Sequence, residues 1–177
     1  MGAAARQATL NPSNTELTHA GNNTALAHGI IFAMGRATIA IGPERFRARF
    51  RGDLAPHACR LLQALLPYQG DVIHSRWSGE AIWSPLGAAW PAGSILPPEN
   101  ATAMPKPGDV LLYAGSRSEP ELLFVYGSSR FACKAGPLEG NPVLVIEDDL
   151  ARLAAIGREI LWKGALPVRV ELDREER

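Results

Sequence analysis

The stretch A-T-I-A-I-G-P-E-R-F-R-A-R-F (residues 37–50) decides the fold class, because it contains two alternating segments joined by a turn. Apolar side chains recur at every second position in residues 37–41 and again in residues 46–50, which is the period of a half-buried strand. The Gly-Pro-Glu sequence between them (residues 42–44) is typical of a hairpin connection. The stretch therefore predicts an antiparallel hairpin near the start of a β-rich domain.

A helix follows this hairpin. Asp53 is a favoured N-cap residue and Pro56 suits a first helical turn, where its missing N–H group is not needed. An apolar stripe then runs to Leu66, and Pro67 ends the helix. Residues 72–77 and 80–83 are predicted to form a second hairpin around Ser78 and Gly79.

The rest of the chain predicts further short strands and one more helix. Strands are expected at residues 109–113, 121–126, 142–146, 159–162 and 166–172, and a helix capped by Asp148 or Asp149 and closed by Gly157. About eight short strands with two helices do not match a parallel α/β alternation. They fit a mainly β, β-rich α/β domain, with a closed antiparallel or mixed barrel capped by the helices.

The domain organisation follows from the length and from a change of composition. A chain of 177 residues fits one domain. Residues 1–33 are rich in Ala, Asn and Thr without a sustained period, so we expect a disordered N-terminal extension. The folded domain is expected to cover residues 34–177, and Met34 is a candidate for the true translation start.

The charge and the cysteine count exclude several classes. Lys plus Arg and Asp plus Glu both number 18, whereas a nucleic-acid-binding protein shows a basic excess or stripe. The one basic cluster, at residues 45–51, alternates with apolar residues, as on the wet face of a strand. No run reaches the length of a membrane span, and two cysteines do not make a disulfide framework. We expect a soluble cytoplasmic protein with no nucleic-acid or membrane partner.

Six motifs carry a resemblance to a known family. They are G-D-L-A-P-H-A-C-R-L-L (residues 52–62), I-H-S-R-W-S-G-E-A-I-W (73–83), P-P-E-N (97–100), P-G-D-V-L-L-Y (107–113), E-L-L-F-V-Y-G (121–127) and L-W-K-G-A (161–165). With these motifs the chain resembles the bacterial domain-of-unknown-function family 3830, over nearly everything after Met34. The resemblance implies a cyclophilin-like closed barrel and carries no assigned activity.

The wider likeness is to the cyclophilins, which are prolyl isomerases with a catalytic arginine on the strand after their first helix. Arg76 is the residue that would match this arginine, although Ser75 separates it from His74 where cyclophilins tend to read F-H-R. The later cyclophilin motif F-x-x-Q-G-G-D is absent. Prolyl isomerase activity is therefore an alternative that rests on fold likeness.

The second hairpin holds the first group of candidate functional residues. If Ser78 and Gly79 form a two-residue loop, His74, Arg76 and Trp83 share one face of the hairpin. Arg76 would then stack on Trp83 and offer its guanidinium group to a carboxylate, with His74 as an acid–base group. The alternative is a polar outer face on which the stem of the arginine packs against the indole.

The Pro- and Gly-rich stretch at residues 84–108 is the second candidate region, because long irregular loops in compact domains are often functional. Pro97 and Pro98 would hold Glu99 and Asn100 at a defined place. The alternative is that this segment caps one end of the barrel, with Glu99 bound to backbone N–H groups.

The remaining candidates are carboxylates, tyrosines and a thiol. Glu80 and Glu121 are candidate ion-pair partners of Arg76 or an acid–base pair. Tyr113 and Tyr126 end adjacent strands and would either line a barrel mouth or lie in the core. Cys133 lies beside a lysine that would lower a thiol pKa. The histidines show no metal-ligand spacing and no cofactor motif is present, so we expect no metal and no cofactor.

The sequence thus predicts a protein that binds a small carboxylate- or amide-bearing molecule, with or without catalysis. The candidate catalytic residues are His74, Arg76 and Glu99, and the candidate ligand-binding residues are Arg76, Trp83, Glu80, Asn100, Tyr113, Glu121 and Tyr126. Two alternatives stay open: prolyl isomerase activity, and a non-catalytic homo-oligomer in which tryptophans bury a subunit interface.

Overall fold

The structure, a computed structural model, describes residues 35–173. The predicted N-terminal extension, the candidate start at Met34 and the last four residues of the chain lie outside the described residues. Among residues 35–173, no helix is long and apolar enough to cross a membrane.

Eight of the strands in the described part form one closed barrel. They are β1 (Arg36–Ile41), β2 (Glu44–Phe50), β3 (Tyr68–His74), β4 (Gly79–Pro85), β5 (Asp109–Tyr113), β6 (Glu121–Ser129), β9 (Asn141–Ile146) and β10 (Leu166–Leu172). Their order around the barrel is β1-β10-β3-β4-β6-β5-β9-β2, and every neighbouring pair is antiparallel. Two short strands, β7 (Ala132–Cys133) and β8 (Gly136–Pro137), form a separate hairpin. The predicted eight-stranded, mainly β closed barrel is confirmed.

The first hairpin forms as its sequence predicts. Ile39 on β1 lies opposite Phe46 on β2, and the connection turns at Gly42, whose φ of +54° favours glycine. Alternate side chains of both strands fill the barrel: Ala37, Ile39, Ile41, Phe46, Ala48 and Phe50 are all buried. The period-2 pattern therefore reflects one face in the core and one face in water.

Two helices close the two mouths of the barrel. Helix α1 (Pro56–Leu65) follows the end of β2, and helix α2 (Leu150–Lys163) follows the end of β9. Because β2 and β9 are antiparallel neighbours, their ends lie at opposite mouths. Both helices place apolar side chains in the same interior core, including Leu62 from α1 and Leu153 from α2. A 3₁₀ helix (Gly87–Ala89) lies in the long connection after β4.

The C-terminal end of α2 differs from the prediction. Helix α2 continues through Gly157 to Lys163, so residues 159–162 are helical and not a strand. Gly157 is needed inside the helix because a Cβ atom there would overlap the ring of Tyr126, and Gly164 is the C-cap instead. Asp149 caps α2 as predicted, since its Oδ1 accepts a hydrogen bond from the N–H of Ala151 at 2.8 Å.

At α1 the predicted N-cap is wrong. Ala55 occupies the N-cap position and contributes no side-chain hydrogen bond, and Asp53 lies outside the helix. The N–H groups of the first turn donate instead to the carboxylate of Glu99, in the loop after β4. Because Glu99 lies 41 residues after Ala58 in the chain, the local sequence around α1 does not indicate this cap.

Strands β4, β5 and β6 are apolar on both faces. Besides the barrel interior, a second buried cluster lies on their outer side, formed by Ala81, Leu111, Tyr113, Leu123, Val125, Phe131 and Leu138. The segment that contains β7 and β8 contributes Phe131 and Leu138 and covers this outer face. Trp83 and Cys133 are half-buried and pack against the edge of this outer cluster. A cleft opens at this edge, and both side chains line it.

Candidate functional site

The connection between β3 and β4 is longer than the predicted two-residue loop. Ile73 lies opposite Trp83 and His74 opposite Ile82, and the turn occupies residues 75–78. The register therefore differs by one residue from the prediction, which moves every side chain of one strand to the other face. His74 and Trp83 lie on opposite faces of the sheet, so the predicted shared face is wrong.

Ser78 explains this register. It is buried rather than at the tip of the turn. Its carbonyl accepts a hydrogen bond from the N–H of Arg130 at 2.9 Å, and its hydroxyl donates to the carbonyl of Ala132 at 3.1 Å. These long-range bonds tie the turn to the segment after β6. Arg76 consequently lies in the turn and not on a strand, unlike the cyclophilin arginine that it would match.

A cleft of about 410 Å³ opens beside this turn. Its walls come from the end of β3 and the turn (Ile73, His74, Ser75, Arg76, Trp77), from β4 (Trp83), from residues 118 and 121, from β7 (Ala132, Cys133) and from the end of α2 (Ile160, Leu161, Gly164). Four of the residues predicted from the sequence line it, namely His74, Arg76, Trp83 and Glu121. The cleft reaches both faces of the sheet because it passes around the end of β3.

Glu121 is the most deeply buried charged group of the cleft. Its exposed fraction is 5%, and its carboxylate makes no hydrogen bond or ion pair within residues 35–173. Burial is the main cause and the neighbouring carboxylate of Glu119 the second cause that together raise the pKa of Glu121 to about 7. At neutral pH the side chain is therefore divided between its acid and its carboxylate forms.

Arg76 is exposed at the rim of the cleft. Its guanidinium group makes no ion pair or hydrogen bond with any described residue. The predicted ion pairs of Arg76 with Glu80 and with Glu121 are therefore not formed. An unpaired guanidinium group beside an apolar wall remains free to bind an anion or a carbonyl.

His74 is fixed at the inner side of the cleft. Its Nε2 is 2.7 Å from the hydroxyl oxygen of Tyr126, and the two rings meet edge to face. Its Nδ1 is buried and has no hydrogen-bond partner among the described residues. Burial, together with the charge of Arg76, lowers the pKa of His74 below its ordinary value, although Glu80 acts in the opposite direction. The imidazole is therefore neutral at neutral pH.

Neither Glu80 nor Tyr126 lines the cleft. The Oε2 of Glu80 accepts a hydrogen bond from the N–H of Ser128 at 2.8 Å. Tyr126 is buried under α2 against Gly157, and burial raises its pKa. Both side chains thus have structural partners. Of His74, Glu80 and Tyr126, only His74 lines the cleft.

Glu99 and Asn100 do not line the cleft. The Glu99 carboxylate accepts hydrogen bonds from the N–H groups of His57 and Ala58, and Asn100 donates to the carbonyl of Leu54. Burial favours the protonated acid, but the bonds from Ala58 and His57 prevail and hold the pKa of Glu99 below its ordinary value. The P-P-E-N motif therefore braces the start of α1, which is the capping alternative raised above.

Tyr113 lies on the outer face and packs edge to face against Phe131. Its hydroxyl group is 2.9 Å from the Ser116 hydroxyl and accepts from the N–H of Arg117. It lines a second cleft of about 510 Å³ together with Asn141, whose amide is already bound to the loop after β4. The polar groups that Tyr113 and Asn141 bring to this second cleft are satisfied within the protein.

The cleft residues outside the predicted catalytic and ligand-binding set include Trp77, Cys133 and Leu161. Trp77 lies in the turn between β3 and β4 and is 65% exposed. Cys133 is half-buried on β7, a strand too short to show a period. Leu161 belongs to the part of α2 predicted as a strand. Within residues 35–173, no three His, Cys, Asp or Glu side chains meet as a metal-binding group.

The fold and the cleft define an eight-stranded barrel protein with a mixed polar and apolar cleft beside the β3–β4 turn. The chain belongs to the family described as Protein of unknown function (DUF3830), whose model matches residues 37–172. No curated protein matches the chain.

Solved structures share the fold. One is McbB in complex with tryptophan, with 19% sequence identity and a TM-score of 0.61; the match covers 80% of this chain and 46% of the McbB chain. This chain thus spans less than half of McbB. Another is the solution structure of the hypothetical protein AF2241 from Archaeoglobus fulgidus, with 15% identity and a TM-score of 0.51 over 78% of this chain and 95% of that one. At these identities the likeness is one of fold alone.

Proposed function

We propose that this protein binds a small molecule in the cleft beside the β3–β4 turn. The ligand carries a carboxylate or an amide that Arg76 contacts, and an apolar body that lies on Trp83. The observation that supports this proposal most is the buried Nδ1 atom of His74, which has no hydrogen-bond partner among the described residues. Buried polar groups are normally hydrogen-bonded, and exceptions concentrate at functional sites.

The roles of the cleft residues follow from their chemistry. The planar guanidinium of Arg76 suits two parallel hydrogen bonds to a carboxylate, and the indole of Trp83 offers a flat apolar wall. A carboxylate bound to Arg76 would offset the positive charge that lowers the pKa of His74. Ligand binding is therefore expected to raise the pKa of His74, which gives the proposal a spectroscopic readout.

Two further observations bear on the kind of ligand and its setting. McbB, which has the same fold, was solved with tryptophan, a carboxylate with an apolar body. Tryptophan is therefore among the first probes to use, as are smaller carboxylates and cyclic amides. The cysteines Cys59 and Cys133 are both free, which suits the reducing cytoplasm as the location.

A thermal-shift screen tests the proposal on three proteins: wild type, Arg76→Ala, and Arg60→Ala as the matched control on the exposed side of α1. A ligand present at 100 times its Kd stabilises the folded protein by about 2.7 kcal/mol. We expect a carboxylate or amide that raises the Tm of wild type and Arg60→Ala but not of Arg76→Ala. A ligand that raises all three equally binds elsewhere and contradicts the proposal.

A second candidate function is assembly with another copy of the chain. The exposed fractions of Trp77 and Trp162 are 65% and 85%, and exposed large aromatic side chains often mark interfaces. Trp162 follows Leu161, which lines the cleft. Light scattering of wild type and Trp162→Ala tests this reading. An oligomer that dissociates in the variant supports it, and a monomeric wild type removes it.

A further inference from the structure

Glu121 has no donor within its own sheet. It opens β6, where its register neighbours are Pro85 on β4 and Tyr113 on β5. Proline has no N–H group to offer. The Tyr113 hydroxyl is engaged with Ser116 and with the backbone of Arg117. Glu121 is only 5% exposed and lines the cleft, and it therefore receives no hydrogen bond from residues 35–173, although a carboxylate accepts several bonds when donors are present.

The charge around Glu121 is also unbalanced. The neighbour that acts on it electrostatically is Glu119, a second negative group. No arginine or lysine of the described part forms an ion pair with Glu121. Two close carboxylates without a cation attract positive charge. This end of the cleft thus favours a cation, whereas the Arg76 end favours an anion.

Trp83 stands beside Glu121 on the same face. Trp83 pairs with Leu123 and Pro85 pairs with Glu121, so Trp83 and Glu121 are diagonal neighbours on the outer side of β4 and β6. Both side chains line the cleft. An indole face beside a carboxylate is a known combination for binding organic cations, because the ring attracts positive charge and its apolar surface packs against the attached carbon atoms.

We propose that Glu121 and Trp83 together bind a basic nitrogen of the ligand, so that the molecule taken up by the cleft is a small organic amine with an apolar body. This inference rests on the proposed binding function and names the chemistry of its ligand. Arg76 lies near the turn, where the backbone of Ser75 bonds to Ala81, and Glu121 lies opposite Pro85. Ala81 and Pro85 are four positions apart along β4, roughly 13 Å, so a ligand that contacts both ends of the cleft is extended.

Binding of an ammonium group has a defined pH dependence. A bound cation favours the carboxylate form of Glu121 over the protonated form. Since the pKa of the unliganded group is about 7, the ionised fraction rises about tenfold from pH 6 to pH 8. Affinity for an amine is therefore expected to rise about tenfold over this range, and binding at pH 7 is expected to release about half a proton.

Calorimetric titration with three probes tests the inference. The probes are phenethylamine, its neutral counterpart 2-phenylethanol, and 3-phenylpropionate, each titrated at pH 6 and pH 8 in two buffers of different ionisation enthalpy. The proteins are wild type, Glu121→Gln and Glu119→Gln, the last as a control that removes a neighbouring exposed carboxylate. Glutamine keeps the shape of the side chain and removes its charge, so the folded structure is expected to be kept.

The expected result is tighter binding of phenethylamine than of 2-phenylethanol, with proton release at pH 7. In Glu121→Gln, amine affinity falls at least tenfold and loses its pH dependence, while affinity for 3-phenylpropionate is unchanged. Glu119→Gln keeps most of the amine affinity. Equal amine affinity in wild type and Glu121→Gln, or no pH dependence in wild type, overturns the inference.

The design separates this inference from the proposed function. If 3-phenylpropionate binds in an Arg76-dependent way and the amine does not bind, only the role of Glu121 fails. If none of the three probes binds at either pH, the assignment of the cleft as a ligand site fails with it.

Discussion

The carboxylate of Glu99 caps a helix 41 residues earlier in the chain: its Oε2 accepts a hydrogen bond from the N–H of Ala58 at 2.9 Å. Its other oxygen binds the N–H of His57. Ala55, at the N-cap position, contributes no side-chain bond. The long connection after β4 is therefore held to α1 at this point, and a negative charge lies at the positive end of the helix.

Replacement of Glu99 by alanine is expected to lower the free energy of unfolding by about 1 to 2 kcal/mol, because it leaves two helical N–H groups without an acceptor. Urea unfolding of the variant measures this loss. Asp53→Ala is the matched control, since Asp53 is the N-cap expected from the sequence but does not cap the helix. A larger loss in Asp53→Ala than in Glu99→Ala would contradict this account of the cap.

Glu121 gives the stability of the protein a distinctive pH dependence. Its pKa is about 7 in the folded protein and 4.5 in the unfolded chain, so the folded state holds the extra proton between these values. Stability contributed by this group therefore falls as the pH rises from 4.5 to 7, by an amount on the order of 3 kcal/mol. The Glu121→Gln variant is expected to lack this decrease in stability and to be more stable than wild type at pH 8.

Urea unfolding at pH 5 and pH 8 measures the effect. Glu119→Gln serves as the control, because its side chain is exposed and only adds to the repulsion. A stability difference between wild type and Glu121→Gln that is the same at both pH values would show that Glu121 titrates normally.

His74 reports on the charge of Arg76. We expect the imidazole to titrate below 6.5, and Arg76→Ala to move the midpoint upward, because the variant removes a positive charge that lowers the pKa. Proton NMR of the imidazole ring measures both midpoints. Arg60→Ala, on the other side of the molecule, is expected to leave the midpoint unchanged. An identical midpoint in wild type and Arg76→Ala would place the guanidinium group away from His74.

The contact between Gly157 and Tyr126 fixes α2 over its mouth of the barrel. Gly157→Ala is expected to destabilise the protein by about 1 to 3 kcal/mol, although alanine favours helices, because the added methyl group overlaps the tyrosine ring. Thermal unfolding measures the loss. Arg158→Ala, at the next and exposed position, is expected to change stability by less than about 0.5 kcal/mol.

What the sequence reveals depends on whether a feature has a local cause. The β1–β2 hairpin and the Asp149 cap are local, and both were predicted. The β3–β4 register is not, because Ser78 is held by bonds to Arg130 and Ala132 after β6. A glycine at position 157 suggests a helix end from the sequence. The structure shows that glycine is required there because the ring of Tyr126, on β6, packs against the helix backbone.

The candidate site shows the same division. Of the nine candidate site residues, the cleft does not include Glu80, Glu99, Asn100, Tyr113 or Tyr126. It brings together Arg76, His74, Trp83 and Glu121. Their partners were not predictable, because the wall around Cys133 comes from a two-residue strand, and the brace formed by Glu99 depends on how the loop after β4 returns to α1.

Cys133 offers the most direct test of the cleft as a ligand site. Of the two cysteines in the chain, Cys59 is buried and burial raises the pKa of its thiol to about 12, so only Cys133 is expected to react with iodoacetamide. The rate of Cys133 alkylation, followed by mass spectrometry, is to be measured against the concentration of a ligand that stabilises the protein. The account predicts that alkylation slows in proportion to saturation, at the same concentration that gives half-maximal stabilisation. A stabilising ligand that leaves the alkylation rate unchanged at saturation would show that it binds outside the cleft.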